Sequence, residues 1–266
     1  MTAQSMAALR RDRLVVGLGL VLITALGWAW MVHLAAGMDE HAPHAMGAMG
    51  AMGAPAAVGW DGGALVLAVL MWTVMMVAMM LPSAGPMILT FARVHHQRRV
   101  AGGAAVATAV FVAGYLAVWG AFSVLAALAQ MALLQAALLA SPMGSVGAVA
   151  GGLLLIGVGA FQWSPLKAMC LEKCRTPLGF LLAEWREGRL GAFLMGVRHG
   201  AFCTGCCWAL MLLMFVGGVM NLAWMAALAV YMLAEKVLPH GQRLGKVVGA
   251  VLAVAGAWMV GGAALA

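Results

Sequence analysis

Long apolar runs, separated by short clusters of basic or small polar residues, set the pattern of this chain. A helix needs about 20 predominantly apolar residues to cross a hydrocarbon layer. By that measure seven spans are expected, near 14–36, 63–92, 102–128, 143–163, 197–220, 222–238 and 247–266. The first follows Arg10, Arg11 and Arg13. Its apolar run exceeds the roughly 7–15 residues of a signal-peptide core and lacks a clear cleavage site, so it predicts an anchor. The second carries Pro82 and Pro86, each of which removes a backbone donor, and predicts a broken helix. From Ala101 to Trp163 no residue is charged, a stretch too long for one crossing and suited to two, with a turn near Gln130, Gln135, Ser141 and Pro142. Asn221 marks a tight turn between the fifth and sixth spans. The expected fold class is all-α, a polytopic transmembrane helix bundle forming a single domain over 1–266, with an outer loop at 37–61 and an inner loop at 164–191.

Composition sharpens this reading. The chain is 65% hydrophobic and 9% charged, with a mean hydropathy of +1.02. An average soluble domain is about 45–50% apolar and about 25% charged. No soluble interior hides that much apolar surface, so lipid must cover it. The net charge of +7 is explained by position. With the N-terminus in the cytoplasm, all 15 Lys and Arg fall on the inner side or at inner helix ends, while the outer loops carry only Asp39, Glu40 and Asp61. The basic residues therefore report topology, and anionic lipid on the cytoplasmic face is their expected partner, with no role for nucleic acid.

Sulfur and imidazole supply the candidate chemistry. The chain has 23 Met and five Cys. The outer loop holds His41, His44, Met46, Met49 and Met52, with Met recurring every third residue among Gly and Ala. The second span carries Met75, Met76, Met79 and Met80, where Met75/Met79 and Met76/Met80 are spaced i, i+4 and so stack on one helical face. In the fifth span His199, Cys203, Cys206 and Cys207 fall at i, i+4, i+7 and i+8, a single stripe. Counted at about 1.5 Å per residue, the thiols lie roughly 9–15 Å in from the inner side, and Met75–Met80 fall in the same half of the membrane. The two sets are placed to face each other. In the inner loop Ser164-Pro165 predicts a capped helix start that puts Cys170 and Cys174 one turn apart on one face. Thr176-Pro177 opens a second short helix whose Phe180, Leu181 and Trp185 oppose Arg186 and Arg189, an interfacial pattern. Arg198 and Glu235, near inner ends of consecutive spans, are expected to pair as a structural ion pair, because charge at membrane depth is costly alone.

Each feature has an ordinary reading as well: Met as a flexible filler, Cys as a small buried hydrophobe, Gly200 and Gly205 as packing sites. Soft thiolate and thioether donors select Cu(I), and a tetrahedral Cys/His set also suits zinc.

Three segments carry a resemblance: Trp72-Thr-Val-Met-Met-Val-Ala-Met-Met-Leu-Pro-Ser83, Pro165-Leu-Lys-Ala-Met-Cys-Leu-Glu-Lys-Cys-Arg175 and Gly196-Val-Arg-His-Gly-Ala-Phe-Cys-Thr-Gly-Cys-Cys-Trp208, with Met220–Met225 and Glu235-Lys236. Together they resemble a bacterial family described as predicted metal-binding integral membrane proteins, to which no activity is assigned. The resemblance implies a multi-pass protein of the bacterial inner membrane, with ligands at the matching Cys, His and Met. The outer His/Met segment is not part of it.

The function expected is metal handling: capture, holding and transfer or permeation of Cu(I) along a Met/Cys/His column, with a metallochaperone or membrane cuproenzyme as exchange partner. A nucleotide-binding loop and phosphorylated-Asp machinery are not recognisable, and no catalytic residue is assigned. Two alternatives stand beside this: a membrane thiol–disulfide oxidoreductase using Cys203/Cys206 and Cys170/Cys174, and a non-catalytic assembly subunit. The Met content separates them, since electron relay has no use for stacked thioethers.

Overall fold

A computed structural model describes residues 3–51, 62–98, 104–139 and 145–265. The described chain is all-α, with one isolated antiparallel bridge between Leu139 and Val146. Its helices are α1 (Ala3–Ala51), α2 (Gly62–Gln97), α3 (Ala104–Gln135), α4 (Ala148–Phe161), α5 (Pro165–Arg175), α6 (Pro177–Glu184), α7 (Gly188–Leu212), α8 (Met214–Gly217), α9 (Leu222–Val237) and α10 (Gly241–Leu265).

Five helical segments are long and apolar enough to cross a membrane: Arg13–Ala36, Gly62–Gln97, Ala104–Gln135, Gly188–Gly217 and Gly241–Ala264. Two of the seven expected spans are shorter helices. α4 has 14 residues and α9 has 16, which reach about 21 and 24 Å against a hydrocarbon core of about 30 Å. α4 also bends by 65° into α5, and the two pass the length test only when counted as one broken span. The reason lies in Ser164-Pro165. The Ser164 hydroxyl accepts from the Lys167 amide at 3.1 Å, which caps a new helix and turns the chain.

Several boundaries differ from the expected ones. α2 is one continuous helix through Pro82 and Pro86. Neighbouring groups supply partners around this weakened stretch: the hydroxyls of Ser83 and Tyr115 both donate to the Met80 carbonyl, at 2.8 and 3.2 Å. α3 runs through Gln130 to Gln135 rather than turning there, because Gln130 is buried and accepts a hydrogen bond from the Trp72 indole at 2.5 Å. α7 starts at Gly188, nine residues before the expected 197, so Arg198 sits within it. The backbone of α1 continues through the segment read as an outer loop as far as Ala51, a stretch rich in Ala and Met, which favour helix.

α7 forms the centre of the bundle: 56% of its most apolar window is buried, against 11% for the first span and for α10. Its contact with α3 is backbone to backbone. A Cβ at Gly196 would overlap the Phe111 carbonyl, and one at Gly114 the Phe193 carbonyl. Gly152, Gly159, Gly249 and Gly256 make the same kind of contact between α4 and α10. With no hydrophobic force between helices in lipid, such small-residue faces let van der Waals packing hold the bundle.

Candidate metal centre

All five cysteines are buried free thiols, and they gather at one place. Cys203, Cys206 and Cys207 project from one face of α7, as their spacing on a helix requires. α5 brings in the other two. The Cys174 thiol interacts with those of Cys203 and Cys206, while the Cys170 sulfur lies over Gly205, where a side chain would displace it. Gly205 is thus the clearance that lets α5 lie on α7. The Cys170/Cys174 pair and the α7 stripe, expected on separate segments, are one cluster.

α2 closes the opposite side. Met75, Met76, Met79 and Met80 are all buried. Of these, Met80 reaches the thiols: its thioether sulfur lies 3.9 Å from the Cys207 sulfur. Met79 instead lines an apolar groove of about 380 Å³ with Trp28, Pro82 and Ala226.

Among the described residues no three His, Cys, Asp or Glu side chains stand ready as a ligand set. Cys206 and Cys207 both donate to the Cys203 carbonyl at 3.0 Å, spending their thiols on the helix backbone. The Cys203 sulfur hydrogen-bonds with the Tyr115 hydroxyl at 3.2 Å and accepts from the Lys236 ammonium at 3.0 Å. Lys236 also donates to Ser83 at 2.8 Å. Rotation of two thiols about their Cα–Cβ bonds would free them from the carbonyl.

His199 does not join the sulfurs directly. It is buried one turn before Cys203, stacked on Tyr115 with ring centroids 5.5 Å apart and flanked by Phe111 and Phe180. Its Nδ1 is buried without a hydrogen-bond partner. The side chains of His41, His44, Met46 and Met49, and the whole of Met52, lie outside the described residues.

The expected Arg198–Glu235 pair is absent. Arg198 is half-exposed and pairs with Glu184 at 2.9 Å. Glu235 pairs instead with Lys167, at 2.7 Å, and both side chains are almost fully buried. Lys167 also donates to Gln162, and Tyr231 to Glu235 at 3.2 Å. α7 turns Arg198 away from α9, whereas the cap at Ser164 carries Lys167 inward. Nearby, Arg175 donates to the carbonyls of Leu238 and Pro239 at 2.5 and 2.7 Å. These contacts fasten α5, and with it Cys170 and Cys174, to the C-terminal end of α9.

Sequence reasoning assigned no role to Lys167, Lys236, Tyr115 or Ser83. A signal existed for the lysines, since ionisable residues inside apolar spans are functional candidates by default. They were read as topology markers instead.

A protein-family model described as a copper chaperone matches residues 69–259. That stretch begins in α2 and ends in α10, so it contains every residue of the sulfur cluster. No curated protein and no solved structure matches the chain.

Proposed function

The chain belongs to this family of copper chaperones, PpoB2, and from that premise we propose that it holds Cu(I) inside the membrane on its sulfur cluster and hands it to a membrane cuproenzyme or a soluble metallochaperone. The single observation that carries the reading is the convergence of Cys174, Cys203, Cys206 and Cys207 with the Met80 thioether, all buried, from three different helices. Thiolate and thioether are the soft ligands that favour Cu(I). Several donors of similar strength let an ion move by stepwise ligand exchange, without one deep trap.

The finer parts of the reading follow from the same residues. The N-terminus lies in the cytoplasm, so the cluster sits in the inner half of a bacterial inner membrane. Cys170 and Cys174 on α5 are the exchange point on that side. His41, His44, Met46, Met49 and Met52 collect copper on the outer side, and Met75, Met76 and Met79 extend the thioether path. His199 stands behind Tyr115 as an outer-sphere group or late ligand. The Met80 thioether beside the thiols favours copper over disulfide relay, which has no use for a thioether.

The test uses the full chain in detergent or nanodiscs, loaded with Cu(I) against a chromophoric Cu(I) chelator, with bound metal counted by mass spectrometry. Wild type should retain copper and show a sulfur-only first shell by X-ray absorption. Cys203→Ser/Cys206→Ser should lose most of it. Copper retained at wild-type affinity in that double variant would overturn the assignment.

A further inference from the structure

Donor chemistry does not account for one neighbour of the cluster. Lys236 enters from the inner end of α9 with its side chain buried, and its ammonium sits between Cys203 and Ser83. Glu235, the adjacent residue, is committed to Lys167. Among the described residues no carboxylate pairs with Lys236. Lys167 and Glu235 cancel each other, and Arg198 is paired far out at the surface with Glu184. Lys236 is therefore a buried cation without a carboxylate, and its counter-charge is the Cys203 sulfur, itself a candidate metal ligand.

We propose that Lys236 sets the charge of the ion this site accepts: it admits monovalent soft cations, Cu(I) and Ag(I), and rejects divalent thiophiles such as Zn(II) and Co(II). The inference rests on the sulfur cluster being the copper site and adds the residue that decides specificity. Softness favours Cu(I) but does not exclude divalent ions, because cysteine sets also hold zinc in tetrahedral geometry. An ion bonded to the Cys203 sulfur, which lies 3.0 Å from the lysine nitrogen, has the ammonium about 4–5 Å away. Repulsion at that range scales with the charge of the ion. At an effective dielectric constant near 20, the second unit of charge weakens binding by about two and a half to three orders of magnitude. Between wild type and a variant at Lys236 the sulfur ligands are the same for each ion, so their contribution drops out of the change in the affinity ratio. Ser83 holds the ammonium in place through a hydrogen bond that does not alter its charge. The short Ser83 side chain lies just past Pro82 on α2, which brings it level with the end of α9.

The experiment titrates metal-free full-length protein in nanodiscs separately with Cu(I), Ag(I), Zn(II) and Co(II). Cu(I) is read by chelator competition, Ag(I) and Zn(II) by bound metal, and Co(II) by its thiolate charge-transfer bands. Wild type, Lys236→Met, Lys236→Gln and Lys236→Arg are compared. Wild type and Lys236→Arg should take Cu(I) and Ag(I) and give no Co(II)–thiolate band at micromolar Co(II). In the two neutral variants the ratio of Zn(II) to Cu(I) affinity should rise several hundredfold (about 250- to 1,000-fold), with Cu(I) binding retained. An unchanged ratio in a neutral variant that still binds Cu(I) overturns the inference and leaves the copper reading standing. A Co(II)–thiolate band in wild type overturns it without recourse to any variant. Wild type that binds neither Cu(I) nor Ag(I) overturns the copper reading itself.

Discussion

Replacing Lys167 with Met should destabilise the bundle far more than the loss of any surface charge. Lys167 and Glu235 are 3% and 2% exposed, with nitrogen–oxygen distances of 2.7 and 2.8 Å to the two carboxylate oxygens. Removing one partner leaves the other charged and buried, which costs about 3–5 kcal/mol. Tyr231 offers Glu235 a hydrogen bond at 3.2 Å but no charge, so it offsets only part of that. Glu235→Gln should cost a similar amount by stranding the ammonium beside Gln162. Removing both charges together, Lys167→Met with Glu235→Gln, should recover most of the loss, since buried pairs are often replaceable by neutral groups at little cost. The expected coupling is thus about 2–4 kcal/mol. Unfolding in mixed micelles with increasing denaturing detergent, followed by tryptophan fluorescence, measures all four proteins. Arg198→Ala is the internal control: its pair with Glu184 is 48% and 23% exposed, so its loss should cost no more than about 1 kcal/mol. If Lys167→Met and Glu235→Gln behave like that control, and the double variant is merely additive, the buried clasp does not hold α5 in place.

Three further outcomes follow from the same geometry. Gly196→Val should abolish monodisperse protein on size exclusion, because any Cβ there overlaps the Phe111 carbonyl, whereas Gly120→Ala, with open space around it, should behave as wild type. Met80→Leu should keep the fold, with a cost under about 1.5 kcal/mol for a volume-conserving exchange; it should weaken Cu(I) binding by at least about tenfold, measured by chelator competition. Saturating Cu(I) should raise the thermal midpoint of wild type, by the equivalent of about 4 kcal/mol at a thousandfold excess over the dissociation constant. A Cu(I) chelator should reverse that rise, and Cys203→Ser/Cys206→Ser should show neither effect.

Helix positions and helix faces were legible from sequence for different physical reasons. Period alone put Cys203, Cys206 and Cys207 on one face and Cys170 with Cys174 on another, because helix geometry is local. Capping chemistry at Ser164 was legible for the same reason, and its side chain caps the helix that follows; Asn221, legible only as a turn, also caps α9. Lengths were less so. α2 continues through two prolines, with the hydroxyls of Ser83 and of Tyr115 on α3 bonded to the nearby Met80 carbonyl, and no local pattern foretells a partner 35 residues away in sequence. The docking of α5 on α7 was equally hidden. It depends on Gly205 leaving room for one sulfur, on Lys167 finding Glu235, and on Arg175 reaching two carbonyls of the α9 terminus.

The two lysines show where a one-dimensional reading of charge fails. A count of Lys and Arg treats every cation near an inner helix end as a mark of topology. Without Lys167 and Lys236 the inner bias of the remaining cations is unchanged, so the count could never reveal that these two do something else. What sets them apart is the company each keeps. Lys167 lies one turn into a helix whose cap turns it inward, onto a carboxylate. Lys236 follows that carboxylate by one residue, about 100° around the helix, and so must face a different neighbour. That neighbour is the sulfur of Cys203. Adjacent charges of opposite sign at the end of an apolar span therefore serve two sides of α9 at once: Glu235 anchors the helix bearing two of the thiols, and Lys236 presents fixed charge to the cluster those thiols complete. A Glu-Lys dipeptide placed this way binds the two halves of the centre into one electrostatic unit. Exchanging the order, Glu235→Lys with Lys236→Glu, should dismantle both contacts although composition and net charge stay the same.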